Sequence, residues 1–171
     1  MKTLKITFLC VLVLLAGNTQ AQYQKGDMLL NVGIGVGTYS NFVPLNASFE
    51  YGFGKYISAG LQTDFYTYYV GPEHRTYTAL PTSVRASYHY GKHFLKTRQL
   101  DLYGGLAVGL YSPDHIDYRP NKHPKYFYGS SGGPTLGLYA GVKYLFTPRF
   151  GLYAEAGHNI SWLKMGFAFR F

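Results

Sequence analysis

Cysteine is almost absent from this chain of 171 residues, the single one being Cys10. It lies in an N-terminal segment that has Lys2 and Lys5, a short apolar run, and small residues up to Ala21. This order is typical of a Sec-type secretory signal peptide, and we predict that residues 1–21 are removed. The mature chain, 22–171, would then contain no cysteine, so disulfides are excluded as a source of its stability.

Charged residues are also scarce, at 14% of the chain against roughly 25% in a typical soluble domain. The apolar run of the signal segment is too short for a transmembrane helix, which needs about 20 residues. Aromatic residues make up 18% of the chain, only one of them being a tryptophan, and there are 21 glycines. This balance favours an all-β protein with many tight turns. The basic excess, a formal net charge of +8, is scattered along the chain, so we expect contact with anionic lipid headgroups and no nucleic acid as a partner.

From Met28 onward the sequence divides into segments of about ten residues in which apolar and other residues alternate, separated by turn residues. No segment has a sustained helical period. The alternation predicts eight strands, at 28–37, 45–53, 56–65, 80–90, 101–111, 135–144, 150–158 and 162–171.

The two faces of these strands differ in chemistry. One face has forty positions, none of them charged, and only Thr63, Thr82 and Gly104 lie outside the apolar set. The other face carries every charge within the strands, together with one histidine. We expect these residues to form a charge network in the lumen. They are Glu50, Asp64, Arg85, His89, Asp101, Lys143, Glu155, Lys164 and Arg170.

Side-chain size decides which face points inward. A soluble lipocalin-like barrel would enclose the apolar face, but forty such side chains would overfill the narrow interior of eight strands. The polar face is rich in glycine, serine and asparagine, which fit that interior, and its charges can pair there. We therefore predict an eight-stranded antiparallel up-and-down transmembrane β-barrel with its apolar face toward lipid.

Aromatic residues gather at both ends of the predicted strands, as in the girdles of outer-membrane barrels. With the N-terminus on the periplasmic side, we expect periplasmic turns at 54–55, 91–100 and 147–149. The outer loops would then be 38–44, 66–79, 112–134 and 159–161. The predicted location is the cell outer membrane, and we expect outer-membrane lipids as partners.

Several stretches resemble known proteins, namely "FEYGFGKYISAGLQ", "SVRASYHYG", "LDLYGGLAVGLY" and the C-terminal run from Leu138 to Phe171. Across the mature length the chain resembles small eight-stranded outer-membrane barrels of Gram-negative bacteria, the OmpA/OmpW-like "porin family" of Bacteroidetes type. The resemblance implies insertion by the outer-membrane assembly machinery, which recognises a final strand ending in an aromatic residue. Phe167, Phe169 and Phe171 would form this assembly signal. We expect one barrel domain, with no periplasmic domain after it, and a monomer.

Three functions fit such a barrel. The first is a non-enzymatic structural or surface-interaction role with a salt-bridged, plugged lumen, which the narrow bore of eight strands favours. The second is a narrow channel for small solutes or ions. The third is a lipid-modifying enzyme using His158 and Ser161, but no acid is placed to orient the histidine, since Glu155 has the wrong parity.

Other motifs give weaker signals, and we predict no cofactor, no metal and no catalytic residue. The glycines of "VGIGVG" at 32–37 are followed by no helix, so they make space in the lumen rather than bind a nucleotide. His115 and His123, with Asp114 and Asp117, lie in the longest outer loop without the close spacing of metal ligands.

Overall fold

The computed structural model describes residues 23–36, 43–70, 75–95, 99–111, 113–114, 133–158 and 161–171. Its strands are β1 Met28–Val36, β2 Leu45–Gly52, β3 Ile57–Val70, β4 Arg75–Ala79, β5 Thr82–Tyr88, β6 Leu100–Tyr111, β7 Pro113–Asp114, β8 Gly133–Leu145, β9 Phe150–His158 and β10 Leu163–Arg170. One 3₁₀ turn, Tyr90–His93, follows β5. Within the described ranges, no helix is long and apolar enough to cross a bilayer.

Eight of these strands form a closed wall, in which each strand pairs with two antiparallel neighbours. The order around the wall is β1, β2, β3, β5, β6, β8, β9 and β10, and β10 pairs back with β1. Met28 and Phe171 exchange backbone hydrogen bonds of 3.3 and 3.0 Å where the first and last strands meet. Closure leaves the wall without a free edge, which a hydrocarbon environment requires.

The predicted assignment of the two faces is confirmed. All forty outward positions are at least partly exposed, with large values for Leu136 at 71% and Leu110 at 68%. In contrast, Arg85 and Glu50 are 1% exposed inside the wall. An apolar surface this extensive is not left in water by soluble monomers, whereas a bilayer solvates it. The wall is therefore a membrane-spanning one, and the predicted fold class is correct.

The predicted outer loop 66–79 is wrong, because most of it is strand. β3 continues to Val70 and forms a hairpin with β4, with Tyr66 opposite Ala79. The stretch is rich in tyrosine and threonine, which favour strands even where the alternation of faces gives no signal. Leu80 and Pro81 separate β4 from β5, because proline cannot donate to the ladder.

The other connections agree with the prediction in position, with small changes in length. Residues 90–93 of the predicted turn at 91–100 form the 3₁₀ turn. Residues 113–114 of the predicted loop 112–134 pair with β4, and β8 begins at Gly133. One end of the barrel is called the short-turn end below. It carries the turns that join β2 to β3, β5 to β6 and β8 to β9, together with the start of β1 and the end of β10. The opposite end is called the loop end. The predicted signal peptide lies outside the described residues and stays a prediction.

Candidate functional site in the lumen

Arg85 of β5 lies at the centre of the lumen and binds acids from two other strands. Its Nη2 is 2.7 Å from Oε1 of Glu155 on β9, and its Nε is 3.2 Å from Oε1 of Glu50 on β2. A third contact runs from Nη1 to Oε1 of Gln62 on β3, at 3.0 Å. The rigid fork of donors on a guanidinium suits this geometry, since it addresses several acceptors at once. One side chain thus ties four strands together across the bore.

The two acids beside Arg85 have further hydrogen bonds. Oε2 of Glu50 accepts from the hydroxyls of Ser58 and Ser87, each at 2.6 Å. Oε1 of Glu155 accepts from the hydroxyl of Tyr103 at 2.9 Å. Buried charges are tolerated only where such partners replace lost water, and both carboxylates meet this condition.

A second ion pair lies nearer the loop end. Nζ of Lys164 on β10 is 2.9 Å from the carboxylate of Asp64 on β3. The same carboxylate accepts from the side-chain amides of Asn46 at 2.8 Å and Gln62 at 3.1 Å. Gln62 therefore links this pair to Arg85, which joins the two clusters into one hydrogen-bonded system.

Lys143 and Arg170, the other two predicted bases, are placed differently. Lys143 is 2% exposed, faces Asp101 in the β6–β8 register, and has its Nζ 5.3 Å from the ring centroid of Tyr103. Arg170 lies at the short-turn rim, where its Nη1 is 3.7 Å from Oδ2 of Asp27. The structure therefore keeps Arg170 apart from the other eight, which are called the lumen network below: Glu50, Asp64, Arg85, His89, Asp101, Lys143, Glu155 and Lys164.

His89 joins two further strands through an arrangement that sequence reasoning missed. Its Nδ1 is 2.7 Å from Oδ2 of Asp101, and its Nε2 is 2.9 Å from Oγ of Ser58. All three residues are at most 1% exposed. The order acid, histidine, serine has the connectivity of a hydrolase triad. The parity of the strands places these residues on one face, but only the register of the closed barrel brings them together.

His89 and Ser58 together link two carboxylates of the lumen network. Ser58 donates its hydroxyl proton to Oε2 of Glu50 at 2.6 Å, and Oγ of Ser58 is also 2.9 Å from Nε2 of His89. On the other side of the ring, Nδ1 of His89 is 2.7 Å from Oδ2 of Asp101. The imidazole and the serine hydroxyl therefore bridge Asp101 to Glu50.

Tyr23, which precedes the first predicted strand, covers the network at the short-turn end. Its ring stacks on His89 at 3.9 Å between centroids and 5° between planes. Its hydroxyl donates to the carbonyl of Ile57, and burial raises the pKa of this phenol above its ordinary value. Gly26 anchors the same segment through a 2.9 Å bond from its N–H to the carbonyl of Gly52. Residues 23–27, called the Tyr23 segment below, thus pack against the short-turn end of the lumen network.

A small cavity lies on the loop side of Arg85. Its volume is about 20 Å³, which holds about one water, and its polar lining comes from Gln62, Tyr139, Glu155, Ser161 and Lys164. Oγ of Ser161 is buried and has no hydrogen-bond partner among the described residues.

Only one member of the pair weighed from the sequence as a lipid-modifying site, His158 and Ser161, has its side chain among the described residues. Ser161 faces the lumen cavity. The backbone of His158 pairs with Leu138 in β8, but its side chain lies outside the described residues.

The C-terminal aromatics lie on the outer surface. Phe171 is 68% exposed and Phe167 is 52% exposed, whereas Phe169 is partly buried. The ring of Phe150 packs against Phe167 at 5.7 Å and against Phe169 at 5.4 Å between centroids. This places an aromatic band near the short-turn end, where girdle residues meet the membrane interface. Recognition of this band by the assembly machinery stays a prediction.

No metal centre is found in the part of the chain that the structure describes, since no three His, Cys, Asp or Glu side chains there are grouped to hold an ion. His115, His123 and Asp117, and the side chain of Asp114, lie outside that part. A Cβ at Gly33 would lie 2.1 Å from the backbone oxygen of Met165, and a Cβ at Gly35 would lie 2.2 Å from Oγ of Ser161, so both glycines allow close approach of β10 and its preceding residues. Within the described residues, the next element after these glycines is a strand, β2.

No protein-family model matches the chain, and no curated protein matches it in sequence. Solved structures do match. The outer-membrane protein OprG from Pseudomonas aeruginosa has a TM-score of 0.66 at 14% identity, with 88% of this chain and 98% of that chain covered. The N-terminal β-barrel domain of Pseudomonas aeruginosa OprF gives 0.54 at 18% identity, covering 86% and 98%.

The Yersinia pestis outer-membrane protein Ail, solved in a phospholipid bilayer nanodisc, gives a TM-score of 0.52 at 16% identity. The match covers 86% of this chain and 100% of that chain. At these identities the likeness concerns the fold, and the exposed apolar wall independently requires a bilayer. The chain is therefore a transmembrane β-barrel with the eight-stranded fold of small outer-membrane proteins.

Proposed function

We propose that this integral barrel of the cell outer membrane is non-enzymatic, has a closed lumen, and serves a structural or surface-interaction role. The observation that carries the proposal is Arg85, which reaches Glu155 and Glu50 from a third strand and fills the bore at mid-depth. The surface-interaction part depends on the outer loops, most of whose residues, such as 115–132, lie outside the described part of the chain.

Two barriers in series support a closed lumen. The Tyr23 segment covers the short-turn mouth, and the Arg85 contacts cross the bore beyond it. An ion passing through would have to displace a charge-assisted bond of 2.7 Å between Arg85 and Glu155 in a low-dielectric interior. A narrow channel is therefore the less favoured alternative, and the small cavity on the loop side is a space that would serve it.

The Asp101–His89–Ser58 arrangement does not argue for hydrolysis. A triad serine must reach a substrate and pass its proton to the histidine. Here Ser58 is 0% exposed and its proton is directed to Glu50 rather than to His89. Tyr23 covers the histidine, so a substrate carbonyl has no approach from the short-turn mouth. We interpret the three residues as a structural part of the lumen network.

Thiol labelling tests the closed lumen, because the mature chain has no native cysteine. Ala168 is 0% exposed on the lumen face of β10, and cysteine adds one sulfur atom there. In the folded barrel we expect Ala168→Cys to resist a small charged thiol reagent, while Gly54→Cys in an exposed turn reacts at once. Boiling should expose both positions. Equal labelling rates in the folded protein would contradict the closed lumen and favour a solute pathway.

A further inference from the structure

A cluster of aromatic and basic side chains lies at the short-turn rim, outside the lumen. The rings of Tyr56 and His93 stack at 4.7 Å between centroids and 21° between planes. The hydroxyl of Tyr88 is 2.8 Å from Nε2 of His93, which fixes the imidazole against the wall. These residues come from the β2–β3 turn, the end of β5 and the 3₁₀ turn. Together with Lys55 and Lys92 they are called the Tyr56 cluster below.

Two ammonium groups converge on the central ring of this cluster. Nζ of Lys55 is 5.1 Å and Nζ of Lys92 is 5.9 Å from the ring centroid of Tyr56. Lys92 also donates to the carbonyl of Lys55 at 3.1 Å, so the two lysines are held close together. An ammonium has three donors, which leaves most of this donor capacity for another acceptor.

No acid of the described chain neutralises these lysines. The carboxylate at this rim, Asp27, faces Arg170 instead. No ion pair of Lys55 or Lys92 exists among the residues that the structure describes. The site is therefore doubly cationic, has a preformed aromatic base, and presents two ammonium groups to an anion from outside the chain.

Apolar side chains border the Tyr56 cluster on the lipid-facing surface. Phe53 and Phe94 are each 61% exposed, and Tyr88 is 44% exposed. Aromatic residues in such positions sit at the level of lipid headgroups. An anion that is held here would therefore have hydrocarbon beside it.

We propose that the Tyr56 cluster binds the phosphate of an anionic phospholipid in the leaflet at the short-turn end. Lys55 and Lys92 donate to the phosphate oxygens, and Phe94 contacts the glycerol and upper acyl region. This inference rests on the membrane location in the proposed function, and it adds a specific lipid site to it. The apolar border favours a lipid over free phosphate, because free phosphate gains nothing from Phe53 and Phe94.

Native mass spectrometry of the folded barrel in detergent tests the site with phosphatidylglycerol as the probe. The variant Lys55→Gln/Lys92→Gln should bind the first lipid at least about tenfold more weakly, because both charged donors to the phosphate are lost. The matched control is Lys25→Gln/Arg149→Gln, which removes the same charge from exposed positions at the same end. It should bind within about twofold of the wild type.

Three outcomes would overturn the site. Equal loss in the control variant would show only a general effect of rim charge. Equal binding of inorganic phosphate would show a site for free anions. Equal binding of diacylglycerol, which lacks phosphate, would show contact with acyl chains alone. A wild-type chain that fails to fold into lipid vesicles would instead contradict the membrane location, so the two failures are distinguishable.

Discussion

Replacing Arg85 by methionine would leave Glu50 and Glu155 buried without the guanidinium that joins them. Both carboxylates lie within 3.2 Å of Arg85 and are at most 3% exposed, so they would lose their charged partner without gaining the hydration of bulk water. Removing one partner of a buried ion pair costs about 3–5 kcal/mol. We expect a loss of this size in the free energy of unfolding, measured by urea titration of the barrel in lipid vesicles.

Two controls separate the charge effect from the loss of side-chain packing. Arg149→Met removes an exposed arginine and should change the free energy of unfolding by less than about 1 kcal/mol. The triple variant Arg85→Met/Glu50→Gln/Glu155→Gln removes the uncompensated charge, and most of the lost stability should return. A loss below about 1 kcal/mol for Arg85→Met, or no recovery in the triple variant, would refute the role of these ion pairs.

Three further predictions concern the mouth, the packing and the C-terminus. Tyr23→Ala should let trypsin cleave after Lys25 about tenfold faster than in the wild type, because the Tyr23 segment loses its anchor. Tyr23→Phe keeps the ring and should be cleaved at about the wild-type rate. Equal cleavage rates for the two variants would contradict the packing of the Tyr23 ring on His89. Gly141→Ala puts a Cβ 2.6 Å from a buried tyrosine ring and should cost about 1–3 kcal/mol in urea unfolding, whereas Gly54→Ala, with open space, should cost little. Phe171→Ser should lower the amount of barrel assembled in the outer membrane without changing the free energy of unfolding of the folded barrel. A normal amount of the variant in outer-membrane fractions, measured by immunoblot, would refute the role of Phe171 in the assembly signal.

The alternation of residues was enough to predict the barrel and the contents of its two faces. It placed Glu50, Arg85 and Glu155 on one side because side-chain direction alternates in every strand, whatever the strand pairs with. It could not predict that Arg85 joins both acids while Lys143 stacks near a tyrosine. That choice depends on the stagger of the strands around the closed wall, which period-two patterning leaves open.

Features outside the periodic segments were not predictable in this way. Tyr23 precedes the first alternating segment, so nothing in the pattern marked it as the cap on His89. The hairpin of β3 and β4 extends past the residues that alternate, and strand propensity alone would have identified it. Arg170 has lumen parity, but its long side chain reaches the rim and pairs with Asp27, because it is the last residue of its strand.

Single-channel recording in a planar bilayer tests the proposal of a closed lumen most directly. The folded wild-type barrel should insert without producing discrete conductance steps, because Arg85 and its acids fill the bore. Removal of both barriers in Tyr23→Ala/Arg85→Ala/Glu155→Ala should produce steps, and Lys25→Ala at the exposed rim should stay silent. Discrete steps from the wild type that Tyr23→Ala/Arg85→Ala/Glu155→Ala leaves unchanged would contradict a lumen closed by the charge network.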